Sequence, residues 1–304
     1  MDQDQVPAPL VVTRLIGGLG NQMFQYSAGR ALALRSGAAL RFDISGFAEA
    51  LAKRPYALDC FSIHGSAASA AELSRFYPIS GRRSPRVDRV MRRLRFHWPE
   101  GDWPIYREPH FKFDPGVPLL RAPVYLDGYW QSERYFSDIA GVLRRDFTLL
   151  APLSGENAAI AASIDSVNAV SLHVRRGDYV EDRTSNRYHG VCSADYYERA
   201  VTYVSARTVA PHLFVFSDDQ AWARANLRFA VPTAFVDANT PDRGQVDMQL
   251  MARCRHHIIA NSSFSWWGAW LNPSPDKIVV APERWFRVNR HDTRDLIPPG
   301  WVKL

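Results

Sequence analysis

Short apolar runs alternate along the chain with longer stretches in which apolar positions return every third or fourth residue. Residues 11–16 (Val-Val-Thr-Arg-Leu-Ile) read as a strand. Gly17-Gly18-Leu19-Gly20 follows, a turn that only glycine-rich sequence makes cheaply. From Asn21 the spacing of Met23, Tyr26, Ala31 and Leu34 predicts a helix, ended by Gly37, and residues 38–43 predict the next strand. Residues 124–136 predict a strand running into a helix that carries to about Arg145, and residues 152–156 read as a linker. Beyond it, strands are expected at 169–174, 213–217, 234–237, 257–260 and 278–281, with helices at 194–205, 220–226, 244–254 and 265–271. Such alternation implies a parallel, doubly wound sheet. At 304 residues the chain is too long for one ordinary core. The expected architecture is therefore α/β, with two Rossmann-like domains, 1–153 and 154–304, facing a central cleft.

Composition narrows the partners. With 46% hydrophobic and 22% charged residues the chain is of the soluble globular type. Its net charge of +6, mostly from arginine, favours nucleic acid, an acidic membrane surface or a phosphorylated small molecule. Cys60, Cys192 and Cys254 are far apart and form no metal-ligand pair or disulfide framework, which suits a reducing compartment. The polar start Met1-Asp2-Gln3-Asp4-Gln5 does not read as a signal peptide, so none is expected. The apolar stretch 258–271 is interrupted by Asn261, Ser262, Ser263 and Ser265 and is too short to span a bilayer. A cytoplasmic protein is expected. Arg82, Arg83, Arg86, Arg89, Arg92, Arg93 and Arg95 crowd together with Asp88 as the one acid, while Val87, Val90, Met91 and Leu94 share a helix face. This basic amphipathic segment predicts either docking on the domain or peripheral contact with an anionic membrane. No nucleic-acid module accompanies the charge, so no nucleic-acid partner is expected. The aromatic, proline-rich stretch 96–113 is expected to be irregular.

Candidate chemistry gathers at strand ends. His173-Val174-Arg175-Arg176-Gly177-Asp178-Tyr179 places two arginines beyond the strand 169–174, where open α/β sheets bind ligands. The guanidinium fork suits a phosphate, although a surface loop with an internal Arg–Asp pair has the same spacing. In Phe216-Ser217-Asp218-Asp219, Ser217 or Asp218 is expected to cap the next helix. Asn261-Ser262-Ser263-Phe264-Ser265-Trp266-Trp267 holds more hydroxyls than capping needs and can make an anion cradle at a helix start. The arginine loop and this turn are placed to grip one diphosphate from two sides. Asp247, on the preceding helix, can pair with the N–H donors of a guanine edge. In the first half, the loop of Gly18, Gly20, Asn21 and Gln22 can hold an anion or a sugar. Gly18-x-Gly20 with Asp43 also imitates a dinucleotide fingerprint, but Met23 occupies the third glycine position, where bulk obstructs helix–strand packing. An NAD(P)-dependent oxidoreductase is therefore the second reading.

The 173–179 stretch resembles the diphosphate motif shared by α1,2-, α1,6- and protein O-fucosyltransferases. Gly17 to Tyr26, Gly128-Tyr129-Trp130-Gln131-Ser132-Glu133, Phe216 to Asp219 and Asn261 to Trp267 resemble further motifs of the α1,2-fucosyltransferases, glycosyltransferase family 11, in the expected order. The resemblance implies a GT-B-type fold and inverting transfer of L-fucose from GDP-β-L-fucose to the 2-hydroxyl of a terminal β-galactoside. A fucosyltransferase of another linkage is the nearer alternative to it, ahead of the oxidoreductase. It implies an acceptor-side first domain and a GDP-fucose-binding second domain. His173, Arg175 and Arg176 would serve the diphosphate and fucose, with Asp247 on guanine. Asn261, Ser262, Ser263 and Phe264 would hold the phosphates, and Asn21 would reach the reaction centre. Asp178, Asp127 and Glu133 are the candidates for the base that takes the acceptor proton. A cationic cradle makes a metal dispensable, so no metal and no other cofactor are expected. The acceptor implied is a surface glycan, and a lipid-linked one fits the membrane contact expected of residues 82–95.

Overall fold

The computed structural model describes residues 9–48, 54–77 and 103–304, with the side chains of Asp178, Glu181, Arg183, Thr184 and Ser185 outside the description. The arginine-rich segment 82–95 thus lies outside the described residues. The chain divides into two compact units, residues 1–59 with 63–146 and residues 60–62 with 147–304. The division falls at 146/147, not within 152–156. Phe147 packs edge-on against Trp267 at 5.2 Å and against Phe61 at 5.5 Å, and Leu149 and Leu153 pack on the second unit's core. Apolar contacts, rather than the prolines downstream, decide where the chain changes unit.

The first unit is built from β1 (Leu10–Arg14), α1 (Leu19–Ser36), β2 (Ala39–Asp43), β3 (Ser66–Ala67), α2 (Ala70–Ser74), β4 (Ile105–Arg107), β5 (Val124–Asp127) and α3 (Ala140–Asp146). Its strands form a parallel sheet in the order β3-β2-β1-β5-β4. The strand β4 corrects the expectation of an irregular 96–113 stretch: Ile105 and Tyr106 pair with Tyr125 and Leu126. The helix expected from about 133 begins as 3-10 turns at Glu133–Tyr135 and Ser137–Ile139. α1 is buried nearly all round, including Met23, Phe24, Tyr26, Ala31 and Leu32, so it is a core helix despite its polar sequence. It ends at Gly37 in the left-handed conformation (φ 59°), whose N–H bonds the carbonyls of Ala33 and Leu34.

The second unit continues with α4 (Gly155–Ser166), β6 (Asn168–Val174), α5 (Gly177–Glu181), α6 (Arg183–His189), α7 (Ala194–Ser205), β7 (Pro211–Ser217), α8 (Gln220–Asn226), β8 (Thr233–Val236), α9 (Gly244–Arg253), β9 (His256–Ile258), α10 (Ser263–Leu271), β10 (Val279–Ala281) and β11 (Val302–Lys303). All six strands are parallel, ordered β11-β10-β9-β6-β7-β8. Counted from β6 this is 3-2-1-4-5-6, the Rossmann order, and its direction reverses between β6 and β9. The α/β class with two parallel sheets is as expected. β6 carries buried residues at every position after Asn168, which is why its sequence is a continuous apolar run rather than an alternating one. Among its few polar members, Ser171 bonds His257 Nδ1 at 2.8 Å while Asn272 donates to the other ring nitrogen at 2.9 Å, so this interior histidine is neutral and its tautomer fixed.

Candidate active site

The reversal of strand order between β6 and β9 splays their exits and opens a crevice at the carboxyl edge of the sheet. Two expected segments meet there. His173, the penultimate residue of β6, is buried, and its ring lies 5.2 Å from that of Phe264 in the first turn of α10. The Tyr179 hydroxyl donates to the Asn261 carbonyl at 3.5 Å. Burial, then the neighbouring Arg175 charge, pushes the His173 imidazole down to about 3, so it is neutral at any ordinary pH. Its Nδ1 is buried without a partner. A buried polar atom in that condition costs free energy unless something supplies a bond.

One carboxylate sets the arginine loop. Asp218, at the exit of β7, accepts from Arg175 Nη1 at 2.8 Å and from the Arg176 backbone N–H at 2.8 Å. A Cβ on Gly177 would meet Asp218 Oδ2 at 2.9 Å, so glycine is what lets the carboxylate come this close. Arg176 turns to α8, bonding Asp219 at 3.3 Å and lying over the Trp222 ring at 3.9 Å. Arg175 lies 5.4 Å from the Tyr179 ring. Of the two arginines, Arg176 anchors the loop and Arg175 is the one held at its mouth. The capping role expected of Ser217 or Asp218 belongs to Asp219, whose side chain accepts from the Trp222 N–H. Asp218 is excluded from it because it is spent on the arginine loop. The backbone of Asp178 is in α5.

The hydroxyl-rich turn divides its labour. Ser262 is the N-cap of α10 and accepts from the Phe264 N–H. Ser265 is buried and donates back to the carbonyls of Ala260 and Ser262. Asn261 is buried, its amide shared among the carbonyls of His189, Gly190 and Trp285. Its side chain therefore ties neighbouring segments together rather than facing a ligand. Ser263, half-buried, is left as the hydroxyl that the turn itself does not use. Asp247, in the first turn of α9, accepts from Asn239 at 2.7 Å, and Asn239 pairs reciprocally with Asn157 at 3.0 and 2.8 Å. Burial pushes the Asp247 carboxyl up to about 6, partly offset by that hydrogen bond. It remains ionised at neutral pH and is aimed by a fixed amide, which suits a pair of N–H donors.

The first unit carries its own polar group at the carboxyl edge of its sheet. Gly17 takes a φ of 77°, and a Cβ there would meet the Asn21 amide at 2.8 Å. The helix starts at Leu19 with Gly18 as N-cap, so Gly20 and Asn21 lie in its first turn. Gln131 donates to Asn21 Oδ1 at 2.8 Å. Gln22 is fully buried and spends its amide on the Gly17 and Pro55 carbonyls and the Ala57 N–H, a structural role. Asp127 is paired with Arg14 at 3.1 Å and Arg107 at 3.6 Å. Glu133 lies near Arg144. Asp43, the carboxylate a dinucleotide fingerprint needs for a ribose, is buried and bound to the Tyr125 hydroxyl at 2.6 Å and the Ser45 N–H at 3.0 Å. The NAD(P) reading loses its key contact.

Three contributors were not foreseen. Asp218 as partner of Arg175 and Trp222 under Arg176 depend on pairing between β6 and β7, although the spacing of both motifs after adjacent strands was a usable signal. Glu108 follows β4 directly and accepts the backbone N–H groups of Tyr129 at 2.7 Å and Trp130 at 3.0 Å. It was hidden in a stretch read as irregular.

A parallel sheet in Rossmann order, with a guanidinium and a helix start beyond its strands, defines the second unit as a Rossmann-like α/β unit. The family model of glycosyl transferase family 11 matches residues 88–304. The chain is 33% identical to the alpha-1,2-colitosyltransferase of Escherichia coli over 97% of its own length and 99% of that protein. It is 42% identical to the O-antigen biosynthesis glycosyltransferase WbnK of Escherichia coli over 46% of each chain. With galactoside alpha-(1,2)-fucosyltransferase 1 of Homo sapiens it shares 27% identity over 88% of this chain and 67% of that one. The chain belongs to glycosyl transferase family 11 and is a glycosyltransferase.

Proposed function

We propose that this protein transfers L-fucose from GDP-β-L-fucose, with inversion, to the 2-hydroxyl of a terminal β-galactoside in a surface glycan. The observation that carries the reading is the Arg175–Asp218 pair beyond the adjacent strands β6 and β7, with His173 of β6 packed against Phe264 in the first turn of α10. Departure of GDP builds negative charge on the β-phosphate and positive character on the sugar ring. Donors already aimed at the leaving phosphate are the main resource for such a step. Arg175, whose direction is fixed by Asp218, supplies the charge, and Ser263 with the start of α10 supplies further donors. Asp247 accepts from the guanine edge, which selects GDP over UDP. Because the leaving charge is met by a guanidinium, transfer is independent of divalent metal.

The family relatives named for galactoside α1,2-fucosyl transfer and for O-antigen synthesis support the linkage and the acceptor class. Colitose, which is fucose without its 3-hydroxyl, is the second donor sugar to test, because similarity to the colitosyltransferase runs over nearly the whole chain. Among the described residues no helix is long and apolar enough to cross a membrane. A lipid-linked acceptor would be met peripherally, and charge reversal in segment 82–95 with binding to anionic vesicles tests that contact.

The deciding experiment is thermal unfolding with GDP, GDP-fucose, GDP-colitose, UDP and NADH in parallel, followed by turnover on a β-galactoside panel. A ligand at a hundred times its Kd adds about 2.7 kcal/mol of stability. Stabilisation by guanine nucleotides and an α1,2-linked product establish the reading. Stabilisation by UDP or NADH alone overturns it.

A further inference from the structure

Asp247 has a support that an acid at a helix start does not need. It lies in the first turn of α9, where the helix dipole alone favours a negative charge. Yet two side-chain amides from other elements stand behind it, and all three residues belong to the second unit. Asn239, in the loop between β8 and α9, donates through Nδ2 to Asp247 Oδ1 at 2.7 Å. The same Nδ2 donates to Asn157 Oδ1 at 2.8 Å, and Asn157 Nδ2 donates back to Asn239 Oδ1 at 3.0 Å. Asn157 is buried in the first turn of α4.

The fold puts this chain of amides on the ligand side of the second sheet. Ala161 and Ile164 of α4 share one core with Val246, Leu250 and Met251 of α9. α4 leads into the start of β6 and α9 into the start of β9, so both helices begin at the carboxyl edge, where His173, Arg175 and Asp218 lie. A Cβ on Gly244, the first residue of α9, would meet the Phe264 ring at 3.3 Å, and that ring lies 5.2 Å from His173. The direction of the relay is set by chemistry. An ionised carboxylate only accepts, so Asn239 must turn Nδ2 toward Asp247, and a flipped amide would also break the reciprocal pair with Asn157. Both Asn239 donors are then engaged, and the open positions are on Asp247. A carboxylate offers about four acceptor positions. Asn239 takes one, and Oδ2 accepts no hydrogen bond among the described residues.

We propose that Asn239 and Asn157 are positioning residues that fix the plane of the Asp247 carboxylate, and that this relay makes the site select guanine over bases that lack its amine. The proposal rests on the reading above that Asp247 accepts from the guanine edge. Guanine presents a ring N–H and an exocyclic amine side by side. A carboxylate meets both only when its plane lies along that edge. Hypoxanthine keeps the ring N–H and lacks the amine, and a single contact tolerates a carboxylate that turns. Adenine presents an acceptor at the ring nitrogen and is disfavoured in any orientation. Losing the fixed plane therefore penalises guanine more than hypoxanthine.

The test is calorimetric binding of GDP, IDP and ADP, in which IDP carries hypoxanthine and differs from GDP by the amine alone. The proteins are the wild type, Asn239→Ala, Asn157→Ala, Asp247→Ala and the Asn239→Ala/Asp247→Ala double variant, each also unfolded thermally without ligand. The wild type should bind GDP about tenfold or more tighter than IDP, the worth of one hydrogen bond to a charged acceptor, and ADP more weakly still. Asn239→Ala should lower the GDP-over-IDP preference about three- to tenfold, the cost of ordering one freed side chain, with IDP affinity nearly kept. Asn157→Ala should lower it less. Asp247→Ala should bring the preference close to one, and removing Asn239 as well should change nothing further. An unchanged preference in Asn239→Ala, where Asp247→Ala abolishes it, overturns the relay and leaves the guanine reading standing. Equal losses of GDP and IDP in Asn239→Ala reduce the pair to a structural brace and also overturn it. A wild type that does not distinguish GDP from IDP, or an Asp247→Ala protein that keeps the preference, removes the guanine assignment and the relay with it. Asn239 is half-buried in a loop, so its variant decides the question if Asn157→Ala does not fold.

Discussion

The most exposed step in this account is the claim that Asp218 works through Arg175, and a double-mutant cycle isolates it. Arg175→Lys keeps a charge but replaces a rigid fork with a single mobile ammonium. Asp218→Asn keeps an oxygen to accept the Arg176 N–H, as Oδ1 does at 2.8 Å, while removing the charge on Oδ2 that aligns Arg175. The pair is 2.8 Å apart with side chains 22% and 20% exposed. At an effective dielectric of 20 such a contact is worth about 4–6 kcal/mol before desolvation is subtracted. Exposure of this degree leaves a net value nearer 1–2 kcal/mol, between the surface and buried extremes. Losing a preorganised donor to the leaving group costs about 3–4 kcal/mol, roughly a hundredfold to a thousandfold in kcat. Arg175→Lys is thus expected to lose that much, and Asp218→Asn about tenfold. The double variant should be no worse than Arg175→Lys, because the carboxylate then has nothing left to align. A continuous assay of GDP release on a β-galactoside acceptor reads all four proteins. Strictly additive losses, or near-native turnover by Arg175→Lys, would refute the reasoning.

Four further outcomes follow from the same geometry. GDP affinity should fall as pH drops through about 6, because protonating Asp247 removes an acceptor from the guanine edge, and Asp247→Asn should flatten that dependence in calorimetry. His173 and His257 are buried and neutral, whereas an unfolded chain titrates its histidines near 6.5. The stability this confers is whole above about 6.5 and is lost progressively as pH falls toward the depressed folded values, so equal urea midpoints at pH 7.5 and pH 5 would contradict it. Trp267→Ala, which empties a fully buried site among Phe147, Trp266 and Trp270, should cost about 3–5 kcal/mol and lower Tm in calorimetry. Activity should survive EDTA, and loss of turnover restored by magnesium would remove the guanidinium from its role as sole counter-charge.

What the sequence made legible were features carried by local pattern. The second unit's alternation is one: helices Ala194–Ser205 and Gln220–Asn226 fall where spacing places them, and the strands differ by a residue or two at their ends. The gathering of the arginine loop and the 261–267 turn was legible for the same reason, since both follow strands in a parallel sheet. Whatever depends on which strands are neighbours stayed hidden. Asp218, a partner of Arg175, follows β7 directly and lies 43 residues on in the sequence. Strand β4 is only three residues long, and its neighbours Trp103, Pro104 and Pro109 mask it in any local reading.

Polar residues in a motif were also harder to read than the motif itself. Asn261 and Ser263 sit two positions apart in one turn, and composition gives each an equal claim on a phosphate. Burial separates them. Asn261 has two amide donors, and three backbone carbonyls from the 189–190 and 285 segments already compete for them, so moving it toward a ligand would strand those carbonyls in the interior. Gln22 follows the same logic in the first unit, where Asn21, one position earlier, is half-buried and Gln22 is sealed. In both turns one amide builds the loop and a neighbouring polar residue is less buried. Asn261→Ala should therefore lose stability before it loses nucleotide affinity, with a lower Tm and an unchanged GDP Kd in the fraction that remains folded. Ser263→Ala should do the reverse. A weakened Kd at unchanged Tm in Asn261→Ala would return that asparagine to the phosphates.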